Sequence, residues 1–128
     1  MKEKNAVKEK SYSFALRIVK LYSYLRSNKR EYHLSVQILK SGTSIGANIE
    51  EAIGGYSRKD FKSKLSIAYR EARETNYWIR LLRDSSVIEE KLAHSLINDV
   101  NEILKLLTAI LKTLDIPLRM QPPVIINY

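Results

Sequence analysis

The pattern of apolar and polar positions predicts four long helices joined by short polar links. Apolar residues recur every three or four positions, the spacing that places side chains on one face of an α-helix. In the first segment Phe14, Ile18, Leu21 and Leu25 follow this spacing. The helices are predicted at about 9–27, 33–53, 58–83 and 89–114. Because short links favour antiparallel neighbours, we expect an all-α, antiparallel up-down four-helix bundle in a single domain, 1–128.

Glycine and proline positions support these boundaries. All three prolines lie at or after Pro117, so nothing before it removes a backbone donor from a helix. Gly54 and Gly55 predict the end of the second helix, because glycine accepts the left-handed conformation of a C-terminal stop. Ser57 predicts the N-cap of the third helix, with Asp60 three residues later. The prolines predict a non-helical tail over 116–128.

The fourth segment carries two apolar seams. The first seam contains Leu92, Leu96, Ile103, Leu107, Ile110 and Leu114. The second contains Ile97, Leu104 and Leu111, seven residues apart. We expect the bundle core to cover one seam and a second copy of the chain to cover the other. Segments four and two are therefore predicted to contribute to a subunit interface.

The charge alternates along the chain. The net charge is +8, with +7 in residues 1–30, −2 in 31–57, +5 in 58–83, −3 in 84–115 and +1 from Arg119. Such an excess favours polyanionic partners. There is no cysteine, which excludes disulfides and thiolate sites. The charged start lacks an export signal, and no apolar run approaches the ~20 residues that cross a bilayer. We therefore expect a soluble, cytoplasmic protein that does not bind membranes.

Basic residues share faces of the first and third helices. The third helix offers Lys59, Lys62, Arg70, Arg73 and Arg80 with Tyr77, and the first offers Lys10, Arg17, Lys20 and Tyr24. Arginine beside aromatic residues suits phosphate contact and base stacking. The alternative is a solvated face that Glu71 and Glu74 partly neutralise. We predict nucleic-acid contacts, to RNA rather than DNA, at Arg17, Lys20, Arg70, Arg73 and Arg80.

The second helix contains glycines and small polar residues in its middle. A mid-helix glycine costs about 1 kcal/mol relative to alanine, so Gly42 and Gly46 indicate close approach of another helix. A neighbouring polar stripe is spaced so that its members share one face and can bond across a subunit interface or contact a ligand. The predicted helix-packing or interface residues are Gln37, Ser41, Gly42, Ser44, Gly46, Asn48 and Glu51.

Signals of catalysis are absent from the sequence. His33 and His94 are the only histidines, and no metal-binding motif, phosphate loop or dinucleotide fingerprint occurs. The adjacent Glu50 and Glu51 point about 100° apart on a helix, so they do not form an acid–base pair. We expect no catalytic residue, no metal, no cofactor and no small-molecule substrate. A small enzyme of unknown type is the least favoured alternative.

Two stretches resemble a known family. Residues 37–51, QILKSGTSIGANIEE, resemble the second-helix signature of the 23S rRNA intervening-sequence proteins, Gln-x-x-Arg-Ser-x-x-Ser-Ile-x-x-Asn-x-x-Glu. Residues 68–80, AYREARETNYWIR, resemble the family's third helix, and the resemblance covers about residues 11–114. The chain departs from the pattern at Lys40, where arginine is usual, and at Glu51-Ala-Ile-Gly54, where many members have Glu-Gly.

The resemblance implies a four-helix bundle that assembles as a ring-like homopentamer. Some members are encoded within insertions in bacterial 23S rRNA genes. The related accessory variability determinant of diversity-generating retroelements is a basic pentamer that binds nucleic acid and a reverse transcriptase. We therefore expect a non-catalytic, oligomeric nucleic-acid-binding protein. The alternative is a protein-interaction scaffold that docks an acidic or RNA-bound partner such as a polymerase.

Overall fold

The computed structural model describes the backbone of residues 2–115 and the side chains of residues 5–115. It contains four helices: α1 (Lys2–Ser27), α2 (Leu34–Ile53), α3 (Arg58–Asp84) and α4 (Glu90–Asp115). No strand occurs within residues 2–115, which confirms the all-α prediction. None of these four helices is long and apolar enough to span a lipid bilayer. The predicted non-helical tail, 116–128, lies outside the described residues.

The helices form a closed square in which each packs against two others. The neighbouring pairs are α1–α2, α2–α3, α3–α4 and α1–α4, and within the described part of the chain the diagonal pairs make no close backbone approach. Contacts between neighbours show the helix directions. Gly42 lies against Ile18 and Gly46 lies against Ser11, so α2 runs opposite to α1. The bundle is therefore the up-down arrangement that the short links predict.

Contacts on the other sides of the square show the same antiparallel order. Between α2 and α3, Thr75 Oγ1 donates to Ser41 Oγ at 2.9 Å, and Lys64 pairs with Glu51 at 3.1 Å. Between α3 and α4, Arg58 Nη2 donates to the carbonyl of Leu114 at 2.6 Å, whereas Asn76 reaches Asn101. Residues early in one helix thus meet residues late in the next.

The predicted apolar stripes form the core. Burial of each large apolar side chain stabilises the fold by about 1.5–3 kcal/mol. The largest fully buried side chains are Phe14, Phe61, Ile18, Leu25, Ile38, Ile45, Ile49, Leu65, Ile79, Leu82, Leu96 and Ile103. They come from all four helices, so each helix buries one stripe against the centre and leaves the opposite side to solvent.

The first helix begins earlier than the sequence pattern predicts. It starts at Lys2 rather than near residue 9. Val7, which is 1% exposed, continues the buried stripe of Ser11 and Phe14 by one more turn. The charged residues around Val7 concealed this single apolar position, and nothing in residues 2–8 breaks a helix.

A carboxylate caps the second helix at its start. The N-cap residue His33 makes no side-chain capping bond. Instead, the Glu31 carboxylate accepts from the backbone N–H groups of His33, Leu34 and Ser35 at 3.2, 2.9 and 2.7 Å. Burial alone would raise the pKa of Glu31, but these three hydrogen bonds favour the charged form and the net result is a lowered pKa. This cap was not predicted from the sequence.

The glycines after the second helix act differently from the prediction. The expected left-handed stop is wrong, because Gly54 has φ −85° and no described glycine has a positive φ. A Cβ on Gly55 would lie 2.1 Å from Oδ2 of Asp60, so this glycine makes room for the start of α3. The predicted N-cap is confirmed, since Ser57 Oγ accepts from the N–H of Asp60 at 3.0 Å.

The second apolar seam of α4 is partly covered within the chain. Ile97, Leu104 and Leu111 are partly buried and pack against the core. Leu104 also borders a groove with Arg73 and Tyr77 of α3. Because the seam keeps part of its surface open to solvent, its assignment to a subunit interface stays a prediction.

Candidate nucleic-acid interface

The arginines of α3 form an exposed stripe on its outer side. Arg70, Arg73 and Arg80 are spaced three and seven residues apart, which places them on one face of the helix with Tyr77. The opposite face of α3 carries the buried stripe of the core. Burial of that stripe fixes the rotation of α3, so the arginines must face solvent.

The arginine stripe is not neutralised by direct contacts. Within residues 5–115, none of Arg70, Arg73 and Arg80 forms an ion pair. Arg80 Nε donates to Asn76 Oδ1 at 2.9 Å, and its guanidinium carbon lies 5.8 Å from the centre of the Tyr77 ring. These contacts hold Arg80 in place and leave its guanidinium able to donate to a phosphate. Asp84 and Glu71 interact electrostatically with Arg80 and Arg70 without forming an ion pair with them.

A groove separates the arginine stripe from α4. Its volume is about 500 Å³, and Arg73, Glu74, Asn76, Tyr77, Arg80, Asn101 and Leu104 line it. Glu74 is the acidic residue of this lining, and its carboxylate accepts from Nε1 of Trp78 at 3.0 Å. The Tyr77 and Trp78 rings pack in a T-shaped arrangement at a centroid distance of 5.2 Å. The groove therefore offers guanidinium, amide and aromatic groups side by side.

The cations of α1 differ in their availability. Arg17 Nη1 donates to Asp99 Oδ2 at 2.5 Å, and Lys10 Nζ donates to Glu102 Oε2 at 2.6 Å. The hydrogen bond and charge of Glu102 raise the pKa of Lys10, and the same bond lowers the pKa of Glu102. Lys20 is exposed and forms no ion pair among the described residues. Of the two predicted α1 contacts, Lys20 is thus free and Arg17 is paired.

The fold places the two groups of predicted contacts on either side of α4. Helices α1 and α3 are diagonal to each other, but both are neighbours of α4. The exposed outer side of α4 between them carries His94, Asn98, Asn101 and Lys105, together with Glu102, whose carboxylate pairs with Lys10. A long polyanion lying along α4 would therefore meet Lys20 at one border and Arg73 and Arg80 at the other.

A cluster of basic and aromatic residues lies at the end of α1 and was not predicted from the sequence. The Arg26 guanidinium lies 5.2 Å from the Tyr22 ring centre and 5.1 Å from that of Tyr32. Lys29 Nζ lies 5.9 Å from the Tyr24 ring centre. The signal was the alternation of tyrosines with basic residues over 22–32, which the prediction treated only as a helix end.

The polar stripe of α2 borders the seam with α3. Ser41 is buried, and its Oγ accepts the hydrogen bond from Thr75 Oγ1. Gln37 is exposed, and Glu51 forms an ion pair with Lys64. Ser44 and Asn48 bond to carbonyls one turn earlier in their own helix, at 2.6 and 2.8 Å. These bonds satisfy polar groups inside the bundle and at its edge.

The two mid-helix glycines of α2 face α1. A Cβ on Gly42 would lie 2.8 Å from Cγ1 and Cγ2 of Ile18. A Cβ on Gly46 would lie 3.3 Å from Oγ of Ser11 and 3.4 Å from its carbonyl oxygen. Both glycines therefore permit close packing of α1 on α2. Among residues 5–115, no group of three His, Asp or Glu side chains is placed to hold a metal ion.

Comparison with known proteins gives a family. The sequence matches the 23S rRNA-intervening sequence proteins over residues 3–109. The structure is similar to the crystal structure of a protein of unknown function from the S23 ribosomal protein family of Bacteroides thetaiotaomicron. The two share 51% identity with a TM-score of 0.85, over 87% of this chain and 99% of that one. No curated protein matches the chain. On the match over most of its length, the chain belongs to the 23S rRNA-intervening sequence protein family.

Proposed function

We propose that this protein is a non-catalytic, oligomeric nucleic-acid-binding protein whose ligand is structured RNA. The observation that carries the proposal is the exposed and unpaired stripe of Arg70, Arg73 and Arg80, with Tyr77 among them. Arginine binds phosphate oxygens through its planar fork of donors, and tyrosine adds a surface for a base. The family's name links its members to 23S rRNA, which makes a structured rRNA fragment, met in the cytoplasm, the first ligand to test.

Self-association would strengthen RNA binding, because each copy of the chain would add its own arginine stripe. Tyr12, Leu16 and Val19 are 60%, 51% and 46% exposed and follow one another at helical spacing on α1. Tyr12 also lines a groove with Thr43 and Ala47 of α2. Such an apolar surface favours coverage by a second copy. In a ring of five, as the family resemblance implies, each copy would present the same arginines and binding would gain from avidity.

The test compares variants that lose equal charge at two places. Arg73→Gln with Arg80→Gln removes two charges from the stripe, and Lys8→Gln with Lys40→Gln removes two exposed charges elsewhere. We expect the arginine variant to bind a labelled rRNA hairpin roughly tenfold more weakly at 150 mM salt, with a salt slope lower by about 2. The affinity of the lysine variant for the hairpin and its salt slope should change far less. Equal losses in both variants, with unchanged oligomers, would contradict the assignment of the stripe.

A further inference from the structure

A second groove lies between α1 and α4, close to the α1–α2 connection. Its volume is about 310 Å³, and Arg17, Lys20, Leu21, Tyr24, Leu92 and Leu96 line it. Leu21 and Leu96 are 4% and 1% exposed and supply an apolar floor. Tyr24 is 38% exposed, so part of its ring is open to solvent at the groove. Small ligand sites share this plan of an apolar pocket with a few polar groups around it.

The α1 side of this groove is cationic. Residues 17–30 contain Arg17, Lys20, Arg26, Lys29 and Arg30 but no acidic residue. Lys29 Nζ is 5.9 Å from the Tyr24 ring centre, and Lys20 stands on the groove itself. The next acid along the chain, Glu31, is engaged by three backbone N–H groups at the start of α2. On the α4 side, Asp99 is paired with Arg17, whereas Glu89 and Glu90, shortly before Leu92, are exposed.

These features fit an unpaired nucleotide better than a duplex. A flat base can enter an apolar slot and stack on an aromatic ring, while its phosphates meet cations at the rim. In a duplex the bases are stacked on one another, and a protein meets mainly phosphates and 2′-hydroxyls. The α3 stripe offers arginines that can contact phosphates. The α1–α4 groove offers, in addition, an apolar floor and an accessible aromatic ring that can contact a base.

We propose that the α1–α4 groove holds one unstacked base of a single-stranded RNA segment, against Tyr24 and with its phosphates beside Lys20 and Lys29. This inference rests on the proposed RNA binding and adds to it a preference for RNA with unpaired nucleotides. The arginines of α3 would hold the paired part of the same RNA, because both surfaces border α4.

The test uses two RNA hairpins of equal length, one fully paired in its stem and one with six unpaired uridines at its 3′ end. We compare the full-length protein with Tyr24→Leu, Tyr24→Phe and Tyr56→Leu. Tyr56 is fully exposed at the α2–α3 connection and serves as the matched control. We expect Tyr24→Leu to lose about tenfold in affinity for the tailed hairpin and little for the paired one. Tyr24→Phe, which keeps the aromatic ring, should retain the preference for the tailed hairpin.

A second measurement locates the base directly. Photocrosslinking of a tail that contains 5-iodouridine should modify Tyr24, as read by mass spectrometry of the peptides. Equal affinity for both hairpins, or a Tyr24→Leu variant that keeps the preference and the crosslink yield, would overturn the groove assignment and leave the α3 stripe standing. Tighter binding of an oligoglutamate peptide, lost in Tyr24→Leu, would assign the groove to an acidic protein instead. Failure of both hairpins to bind would overturn the proposed function together with this inference.

Discussion

Arg17 of α1 donates a hydrogen bond to Asp99 of α4, with 2.5 Å between Nη1 and Oδ2. The two side chains are 35% and 39% exposed, and ion pairs at such positions contribute roughly 0–1 kcal/mol to stability. The main consequence of the pair is electrostatic, because it removes one cation from the basic border of α4. A residue predicted as an RNA contact thus carries its own counter-ion.

Removal of Asp99 should strengthen RNA binding. Asp99→Asn frees the Arg17 guanidinium and deletes a negative charge near the α1–α4 groove, so we expect roughly threefold higher affinity for RNA at 150 mM salt. The melting temperature should change little. Arg17→Gln should weaken binding less than Arg73→Gln, because Arg17 is already neutralised. Fluorescence anisotropy with a labelled hairpin measures the RNA affinity of the three variants. A lower affinity of Asp99→Asn than of the parent protein would contradict this account.

The exposed apolar residues of α1 should control self-association. Leu16→Glu places a charge in the patch of Tyr12 and Val19 without touching the core, since Leu16 is 51% exposed. We expect the variant to stay helical and to form an assembly of lower mass, as measured by light scattering. The reason is that burial of an unpaired charge disfavours the interface. Ser63→Glu, an exposed position on α3, is the control and should keep the size of the parent. A parent protein that is itself monomeric would contradict the proposed assembly.

The two mid-helix glycines should differ in their tolerance of alanine. In Gly42→Ala the new methyl group lies 2.8 Å from two carbons of Ile18, and overpacking of this kind costs about 1–3 kcal/mol. In Gly46→Ala the nearest atom is Ser11 Oγ at 3.3 Å, so the gain of about 1 kcal/mol in helix propensity should offset most of the cost. Urea unfolding measures both free energies. Equal effects at the two positions would show that Ile18 can move aside.

The Glu31 cap should make stability depend on pH. Three backbone hydrogen bonds lower the pKa of Glu31 in the folded state despite the opposing effect of burial. The stabilisation is therefore complete above the ordinary glutamate value of 4.5 and is lost as the pH falls through the lower, folded-state pKa. Glu31→Gln should cost about 1 kcal/mol at pH 7, and the difference from the parent should shrink in acid. Glu50→Gln, an exposed control, should cost less than Glu31→Gln at pH 7.

The sequence predicted those parts of the structure that depend on local spacing. The buried stripe through Phe61 and Ile79 and the cap at Ser57 follow from residues three or four positions apart, and both are confirmed. The start of α1 was misplaced because one apolar residue, Val7, is too weak a periodic signal. The Glu31 cap was not predicted because its carboxylate reaches the helix from outside the usual N-cap position.

The charge pattern of the candidate site depends on contacts that are distant in sequence. Arg17 and Asp99 are 82 residues apart, and only the register of α1 against α4 brings them together. The same register forms the groove between Tyr24 and Leu92. A basic stripe can therefore be predicted from the sequence. Whether each of its cations is free or paired with an acidic residue cannot.

The most direct test of RNA binding is a titration of the unmodified protein into a labelled rRNA hairpin from 50 to 300 mM salt. Counterion release makes the logarithm of affinity fall linearly with the logarithm of salt concentration when several phosphates are contacted. Our account predicts binding that persists at 150 mM and a steep negative slope that is shallower in Arg73→Gln with Arg80→Gln. Binding that is absent at 150 mM salt would contradict it, and would indicate that the charge of +8 serves contacts with acidic proteins instead.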